Sequence, residues 1–462
     1  MTSLTDPSET LARFAVELEF ADLPETVVDV AKRACVDSFA VALAGGTAPG
    51  VKGVLDEVRG WGGRTEATVI GSSEGKIPAT YAALCNGLQI HARDFDDTHD
   101  RAVVHPSACV LPAVLACAER RGGVSGREFF VALIAGSEVA CRIGVSLDES
   151  LAFERTTICG VFGAAAGAGR ILGLSPDGIC NALGIAFSYA GGTRQGLADG
   201  VLTKRLQPGL AARGGFEAAL WAAGGMTGPR NVFSGPSGFF AAFGGIKGDG
   251  EALTGGLGSR FESASVGFKP YPCCRYVHPA IDAAIKLCEM GPIPQNLISE
   301  VFVSVPPVKS LDYVSRSFPL ERATTVDRQF SLSYVVAVAL LRGEVVLEDF
   351  GERELPPELS ALIGRVHIRR QEKPDSETFF LPAVVTVRGA SGERSARCER
   401  LKGSPSWPMS EEELKAKVRD CLNAGDKPLG GQDFWELMAS IEEIDDIREI
   451  TACWEATQIG TA

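Results

Sequence analysis

Hydrophobic residues follow a helical spacing over most of the first 265 positions. The clearest case is residues 25–46, ETVVDVAKRACVDSFAVALAGG, where apolar side chains recur every three or four positions until two glycines end the pattern. The same spacing predicts helices over 78–91, 107–121, 126–146, 157–173, 176–190 and 208–225. Alanine and glycine are frequent in these segments, and such small residues allow helices to approach closely. The pattern therefore predicts a compact helical domain.

After about residue 266, alternating patterns rich in valine replace the helical spacing. Strands are predicted over 299–308, 365–370 and 383–389, with a helix over 329–344 between the first two. After Lys402 comes GSPSWP, and Ser410 with Glu413 then forms a capping box that starts another helix. We predict an α+β, mainly α protein. Its large all-helical domain spans 1–265, is completed by 403–462, and carries an inserted smaller α+β domain at 266–402.

Composition indicates a globular protein and excludes some partners. The 462 residues are 45% hydrophobic and 22% charged, which is enough to bury a large core, and the net charge of −13 argues against nucleic acid as a partner. The first residues lack a secretory signal pattern, and no run of 18 apolar residues occurs. Thirteen cysteines show no CxxC spacing, as expected for free thiols in a reducing compartment. We therefore expect a cytoplasmic protein without membrane contact.

The densest group of titratable residues lies in HARDFDDTHDRAVVHP, residues 91–106. It contains three of the five histidines of the chain and four aspartates. Such a group beside apolar helices predicts an active site, although a solvated acidic loop would share the composition. DDTHD (96–100) also fits the DDxxD pattern of prenyl-transfer enzymes, with DDIRE (445–449) as a second cluster, but aromatic residues are only 7% of the chain. A transition-metal site lacks the usual spacing of ligands, so we predict no metal.

Other segments carry cations or small residues. The glycine-rich run CGVFGAAAGAGRILG (159–173) favours close helix packing over a phosphate loop. Lys204 and Arg205 in TKRLQPG (203–209) are either a solvated basic pair or site cations. FKPYPCCRYVHP (268–279) brings Lys269 and Arg275 into one segment, which also fits a loop joining two domains. Tyr334 in FSLSY fits a core tyrosine or a site residue.

These segments together resemble the MmgE/PrpD family. The resemblance is carried by DFDDTHDRAVVHPSACVLP (94–112), CGVFGAAAGAGRILGLS (159–175), TKRLQPGLAA (203–212), FKPYPCCRYVHPAIDA (268–283) and FSLSYVVA (330–337). The family includes 2-methylcitrate dehydratases, cis-aconitate decarboxylases and an iminodisuccinate epimerase. The resemblance implies a large helical domain with a smaller α+β lid domain, a homodimer, a small polycarboxylate substrate, and neither metal nor organic cofactor.

The resemblance also assigns residues to the site. The catalytic positions that it implies are Asp94, His105, Lys204, Lys269 and Tyr334, and Thr98 falls on a substrate-binding position. Three further positions, also expected to bind substrate, depart from the family, because they hold Glu154, Gln207 and Cys274 where histidine is frequent. Nearby arginines are expected to bind substrate carboxylates, since a guanidinium binds them bidentately. These are Arg155, Arg205 and Arg275.

The reaction suggested by these residues is removal of a proton next to a carboxylate. Cations would stabilise the resulting enediolate-like charge, and His105, oriented by Asp94, is the expected base. The loss of histidines at 154 and 207 removes acids for a leaving group and favours an isomerase that epimerises an aminodicarboxylate such as iminodisuccinate. The alternatives are a hydro-lyase acting on 2-methylcitrate or citrate, and a catalytically silent protein that binds polyacids.

Overall fold

The computed structural model describes residues 6–147, 152–243, 250–291, 294–372, 381–390, 392–425 and 431–456. The chain folds as two compact units. The first consists of the described residues of Met1–Arg194, Thr203–Phe268 and Leu414–Ala462, and the second of those of Gln195–Leu202 and Lys269–Glu413. The short stretch Gln195–Leu202 was expected in the helical domain. It belongs to the second unit because Arg316 donates to the carbonyls of Leu197 and Ala198.

Helices form most of the first unit and part of the second. In chain order they are α1 (Pro7–Glu17), α2 (Glu25–Gly46), α3 (Val51–Gly60), α4 (Ala79–His91), α5 (Pro106–Arg121), α6 (Gly126–Val145), α7 (Arg155–Ile171), α8 (Pro176–Ala186), α9 (Gln195–Ala198), α10 (Thr203–Ala223), α11 (Phe239–Ala242), α12 (Gly250–Thr254), α13 (His278–Glu289), α14 (Thr325–Gln329), α15 (Leu332–Arg342), α16 (Pro357–Ile363), α17 (Glu411–Ala424), α18 (Gly431–Ala439) and α19 (Arg448–Ala456).

Most predicted helices have bounds close to those in the structure, but the start of α10, which carries Lys204, differs. The segment 25–46 forms α2 as predicted, whereas α10 begins five residues before the predicted start at 208. Proline is frequent in the first turn of helices, so Pro208 suggested a beginning. In the structure Pro208 lies inside α10. Lys204 and Arg205, expected after a turn-like stretch, therefore lie in the first turn of this helix.

Glycines allow the helices of the first unit to pack closely around α7. This helix is buried along most of its length and contacts α5, α6 and α10. A Cβ atom on Gly163 would lie 2.5 Å from the carbonyl oxygen of Gly136 on α6. A Cβ atom on Gly87 of α4 would lie 2.8 Å from Cα of Gly209 on α10. The glycine-rich run at 159–173 therefore serves helix packing, as predicted.

The second unit is built on a four-stranded sheet. The strands of the chain are β1 (Thr98–His99), β2 (Val266–Gly267), β3 (Ile298–Val305), β4 (Val366–Arg370), β5 (Ala383–Gly389) and β6 (Gly392–Cys398). The first two form a short antiparallel pair in the first unit. The other four have the order β4-β3-β5-β6, with β3 parallel to β4 and antiparallel to β5. Val303 and its cross-strand partner Val385 are fully buried in one apolar cluster with residues of α13 and α15.

Local signals explain the remaining elements. The Ser410–Glu413 capping box begins α17, as predicted, with the Ser410 backbone N–H donating to the Glu413 carboxylate over 2.9 Å. Strand β6 was not predicted, because its outer position leaves most of its residues polar and exposed. The twelve cysteines whose side chains the structure describes are free thiols, eleven of them buried. None of the helices in the described ranges combines the length and the apolar character that a membrane span requires.

Candidate active site

A buried lysine–histidine contact joins α4 and α10. Nζ of Lys204, in the first turn of α10, lies 2.6 Å from Nε2 of His91, the last residue of α4. The same ammonium donates to Oδ1 of Asp94 over 3.0 Å. All three side chains are buried. The structure therefore brings two of the predicted site residues, Asp94 and Lys204, together, with His91 as a third member.

Lys204 keeps its charge despite its burial. Burial acts to lower the pKa of this ammonium, but the carboxylates of Asp94, Glu154 and Asp96 outweigh it, so that the pKa is raised above its usual value. A charged ammonium has hydrogens to donate and no lone pair. Nε2 of His91 must therefore accept a hydrogen bond from Lys204.

That contact fixes the tautomer of His91. Its other ring nitrogen, Nδ1, lies 2.7 Å from Oδ2 of Asp96, which is fully buried. With Nε2 accepting from Lys204, Nδ1 carries the ring hydrogen and donates to the carboxylate. His91 is thus a neutral ring held between a cation and an anion.

His105 is held mainly by the backbone of the loop before it. Nδ1 of this ring lies 2.7 Å from the carbonyl oxygen of Asp97 and 3.6 Å from Oδ2 of Asp96. A carbonyl only accepts, so Nδ1 carries the hydrogen, and in the neutral ring the lone pair is on Nε2. Nδ1 is thus held by Asp97 and Asp96, while Asp94 binds Lys204, and the expected orientation of His105 by Asp94 stays a prediction.

The backbone places His105 next to α7. His105 precedes the first residue of α5, and its own N–H donates to Oγ1 of Thr156 over 3.2 Å. The ring centroids of His91 and His105 are 5.0 Å apart. The side chain of His105 is 13% exposed, whereas that of His91 is fully buried. Of the two rings, His105 is therefore the one that a substrate can reach.

Thr98 is buried in β1, where it pairs with Gly267 of β2.

Asp97 is an unusual buried carboxyl group. Burial, opposed by a hydrogen bond from Ser107 and reinforced by the charges of Asp96 and Asp37, raises its pKa from 3.8 to about 8. The Ser107 hydroxyl donates to Oδ2 over 2.7 Å. Asp97 thus holds α5 through its side chain and His105 through its carbonyl.

Two predicted substrate arginines are engaged with backbone carbonyls. Arg155 donates through Nη1 to the carbonyls of Ala102 and Gly144, each over 3.3 Å. Arg205 donates through Nη1 to the carbonyl of Pro49 over 3.0 Å. Both are buried, and at least part of each guanidinium supports the chain around the site. Their role as substrate contacts stays a prediction.

Two of the three positions that depart from the family, Glu154 and Gln207, lie close to each other. Glu154 is buried immediately before α7, and its charge acts on Lys204. Its backbone N–H donates to the carbonyl of Gly192, and a Cβ on Gly192 would lie 2.9 Å from Oε1 of Gln207. Gln207 lies one turn after Lys204 on α10 and donates to the carbonyl of Thr193 over 3.1 Å. Within the described ranges, its buried Oε1 has no hydrogen-bond partner.

The second unit holds the other predicted residues. Lys269 is fully buried. Arg275 donates to the carbonyl of Lys402 over 2.7 Å, and the backbone N–H of Cys274 donates to the carbonyl of Gln329 over 3.0 Å. The Tyr334 hydroxyl donates to the carbonyl of Asp349, and burial raises its pKa to about 12. Tyr334 thus has the hydrogen-bonded environment of a core tyrosine, and its catalytic role stays a prediction.

The alternative interpretations of DDTHD are not supported by the geometry. Asp96 and Asp97 use their carboxylates to hold His91 and Ser107, and Asp446 of the second acidic cluster binds Arg448 and the backbone of Gly123. Ligand atoms of His91, Asp96 and His105 do lie within 4.8 Å of one another. However, both ring nitrogens of His91 are already hydrogen-bonded, and the Lys204 ammonium beside them would repel a cation. This group suits proton transfer better than metal binding.

Sequence reasoning missed His91 and Asp96 as members of the site. Both belong to the titratable cluster, but His91 ends a regular helix and Asp96 sits in a run of acidic residues. Their role depends on Lys204, which follows His91 by 113 positions in the sequence. No local spacing signals a contact over that distance. The only available signal was the rarity of histidine in this chain.

The fold and the site define a class: a mainly helical protein of two units, with a buried histidine–lysine–aspartate cluster in the helical one. Known proteins of this class match along most of the chain. The MmgE/PrpD N-terminal domain matches residues 9–249, and the MmgE/PrpD C-terminal domain matches residues 271–443. The chain therefore belongs to the MmgE/PrpD family.

Relatives with assigned activities are similar over nearly their whole length. A cis-aconitate decarboxylase of Homo sapiens is 28% identical, over 96% of this chain and 92% of its own. One of Aspergillus terreus is 29% identical, over 95% of this chain and 93% of its own. A cis-aconitate decarboxylase-like protein of Aspergillus oryzae is also 29% identical, over 96% of both chains. The similarity to each of these relatives therefore extends over nearly the whole of both chains.

Proposed function

We propose that this protein is an enzyme that transfers a proton at a carbon next to a carboxylate of a small polycarboxylate. The observation that carries the proposal is the cluster in which charged Lys204 contacts both His91 and Asp94, with His105 beside it. The similarity to proteins named cis-aconitate decarboxylase supports a polycarboxylate as the substrate.

His105 is the proposed base or acid. Its Nδ1 hydrogen is held by the Asp97 carbonyl, so that Nε2 is the nitrogen that exchanges a proton with substrate. The Asp96 carboxylate, 3.6 Å from Nδ1, stabilises the ring when it becomes positively charged. This arrangement makes the proton transfer reversible, because the same nitrogen takes the proton from carbon and returns it.

Lys204 is the proposed stabiliser of the negative charge that forms on the substrate. Loss of a proton or of carbon dioxide leaves an enediolate-like anion, and a fixed cation in a poorly solvated site stabilises such an anion strongly. Asp94, Glu154 and Asp96 keep Lys204 charged. Lys204 is therefore already protonated before the reaction begins and takes no proton from the substrate.

The finer proposal is epimerisation of an aminodicarboxylate such as iminodisuccinate. Glu154, whose charge acts on Lys204, and Gln207, one turn after Lys204 on α10, carry hydrogen-bond acceptors, whereas imidazoles at these positions could donate protons. Acceptors favour a substrate with an N–H group next to the reacting carbon, and they supply no acid for a departing hydroxyl. An epimerase also needs a second proton-transfer group on the other face of the carbon. Since Tyr334 donates its hydrogen to Asp349, Lys269 is the better candidate.

The second candidate is a lyase reaction, and the names of the relatives favour it. In decarboxylation of a cis-aconitate-like tricarboxylate, the carbon–carboxylate bond breaks, carbon dioxide leaves, and the electron pair stays on carbon. Protonated His105 would then supply the proton that completes the product. Dehydration of citrate or 2-methylcitrate would need an acid at the leaving hydroxyl, which the positions of Glu154 and Gln207 do not favour.

Proton NMR in D₂O separates these reactions. The protein is incubated, in buffer treated to remove metals, with iminodisuccinate stereoisomers, cis-aconitate, citrate and 2-methylcitrate. Loss of the α-proton signal with interconversion of the iminodisuccinate isomers is the expected result. Loss of one carboxyl group from cis-aconitate would establish the decarboxylase, and new vinyl signals from the hydroxy acids would establish the dehydratase. Binding of these acids without turnover or proton exchange would overturn the proposal in favour of a silent polyacid-binding protein.

A further inference from the structure

The loop that carries Asp94 and Asp96 contains a strained residue. Asp94 has φ 50°, in the left-handed region, and its backbone N–H donates to the carbonyl of His91 over 3.1 Å. This conformation is uncommon for a residue with a Cβ, although aspartate adopts it more often than most residues do. Such strain persists only where the surroundings hold the residue in place. Because the Asp94 carboxylate binds Lys204, whatever holds this turn also sets the geometry of the site.

On the N-terminal side the turn is held by Arg93. Its Nε donates to the carbonyl of Ala44 over 2.9 Å, and its Nη2 donates to Oγ1 of Thr47 over 2.8 Å, both at the end of α2. Oγ1 of Thr47 also lies 3.0 Å from the carbonyl of Ala424, the last residue of α17. The residue before Asp94 is therefore tied to α2 and, through Thr47, to α17.

On the C-terminal side the turn is held by a lysine of α17. Nζ of Lys417 donates to the carbonyl of Phe95 over 2.7 Å and lies 4.0 Å from the centroid of the Phe95 ring. The same ammonium lies 2.5 Å from Oδ1 of Asp37 on α2. Lys417 is 5% exposed and Asp37 is fully buried. One buried ion pair thus binds the residue between Asp94 and Asp96.

A contribution to stability does not by itself explain why the buried pair of Lys417 and Asp37 is present. Removing two charges from water costs several kcal/mol for each ion, and a buried pair often stabilises a protein no more than apolar residues of the same size would. What a buried pair can provide is a fixed position. Here the position that it fixes is the Phe95 carbonyl, adjacent to both acidic residues that hold Lys204 and His91.

We propose that Lys417 and Asp37 form a positioning pair, which holds the Phe95 carbonyl so that Asp94 stays in its left-handed conformation against Lys204 and Asp96 stays against His91. Neither residue is assigned to touch substrate. The kinetic readout of this proposal rests on the proposed function, and its spectroscopic readout does not.

The test compares three variants with a matched control. Lys417→Met keeps the length of the side chain and removes the ammonium, and Asp37→Asn keeps the shape and removes the charge. The double variant leaves no unpaired charge in the core, so it carries the test if either single variant does not fold. The control is Lys32→Met, because Lys32 on α2 also pairs with a carboxylate of the C-terminal part, Glu442.

The kinetic readout is kcat against KM, per mole of folded protein and well below the melting temperature of each variant. We expect kcat to fall about tenfold or more in Lys417→Met and Asp37→Asn, with KM within about twofold, because the substrate is still bound while the proton-transfer groups are misplaced. Lys32→Met should keep the kcat of the unaltered protein. Unaltered kcat in a folded Lys417→Met variant would overturn the positioning pair.

The spectroscopic readout uses the small number of histidines. With ¹³C at Cε1, the protein gives signals from only five rings. In Lys417→Met we expect the His91 and His105 signals to shift or broaden without substrate, while His278 and His367 of the second unit keep their positions; in Lys32→Met all five should stay. Unmoved His91 and His105 signals would contradict the proposal even if activity fell. If the unaltered protein turns over none of the polycarboxylates, the proposed function fails and these spectra alone decide the positioning pair.

Discussion

Gly87 and Gly209 touch where α4 crosses α10, with Cα of Gly209 only 2.8 Å from the place where a Cβ on Gly87 would lie. His91 follows Gly87 by one helical turn, and Lys204 precedes Gly209 by little more than one. The crossing therefore sets how closely the two helices bring His91 and Lys204 together. The contact of 2.6 Å between Nζ of Lys204 and Nε2 of His91 thus requires that positions 87 and 209 carry no side chain.

The first prediction is that Gly87→Ala weakens both the fold and the site. The added methyl group must push α4 from α10, which should lower the free energy of unfolding by about 1–3 kcal/mol and reduce kcat by lengthening the contact between His91 and Lys204. Denaturant unfolding and initial rates measure the two effects. The control is Gly53→Ala on α3, where a Cβ would have nothing within 4 Å, so the helix should gain about 0.5–1 kcal/mol. Equal effects of the two substitutions would contradict the role of the crossing.

His105→Gln should reduce kcat by roughly 10²–10⁴-fold, because it removes the proposed proton-transfer group. The melting temperature should change little, since the ring is partly exposed. His367→Gln, at a half-exposed position on β4, serves as the control and should retain activity. Near-normal turnover by the His105 variant would exclude this residue as the base.

Gln207→Leu should discriminate between substrates. It removes the acceptor oxygen near Lys204 while keeping most of the side-chain volume. We expect kcat/KM to fall by about tenfold for a substrate with an N–H next to the reacting carbon, about the energy of one hydrogen bond, and to change less for cis-aconitate. An equal loss for both substrates would mean that Gln207 supports the fold of the site rather than its specificity.

Asp97→Asn should change how stability depends on pH. The folded-state pKa of Asp97, about 8, lies above its ordinary value of 3.8, so the folded protein binds this proton more tightly than the unfolded chain does. The stability linked to this group is fully present at low pH. It is lost progressively as the pH rises from the ordinary pKa of 3.8 to the folded-state pKa of about 8, by at most roughly 1.4 kcal/mol for each pH unit, and does not change further above that.

The amide of Asp97→Asn carries no charge at any of these pH values. The melting temperature of the variant should therefore exceed that of the unaltered protein by a margin that grows between pH 5 and about pH 8 and stays constant above it. If the variant is instead less stable near pH 9, the ionised carboxylate is the stabilising form and the argument from burial fails.

Removal of metals should leave turnover unchanged. Both ring nitrogens of His91 are hydrogen-bonded and the Lys204 ammonium lies beside the group of possible ligands, so no role for a cation follows from the geometry. Dialysis against EDTA followed by assays with and without added Mg²⁺, Zn²⁺, Mn²⁺ or Fe²⁺ tests this. Activity lost on dialysis and restored by one of these ions would show that the histidines serve as ligands.

The sequence predicted what depends on local periodicity and missed what depends on distant contacts. The spacing of apolar residues in 25–46 defines α2, because a helix that buries one face must repeat every three or four positions. It could not define β6, whose exposed outer position removes the alternation, nor the start of α10, where Pro208 suggested a boundary. Within the site, Asp94, His105 and Lys204 were predicted from rare residue types and family resemblance. The partner of His91 and the support of Phe95 were not, since each comes from a helix far away in sequence.

The contact between Phe95 and Lys417 joins residues that are 322 positions apart, and this separation has a consequence for biosynthesis. At about 5–20 residues per second, a ribosome adds Lys417 roughly 15–60 s after Phe95. Most helices of the first unit can form while the chain is still growing, but the turn at Asp94 lacks its C-terminal support until α17 has left the ribosome. Completion of the site is therefore a late step, and a nascent chain that stalls before Lys417 would carry most helices of the first unit without the support of Phe95.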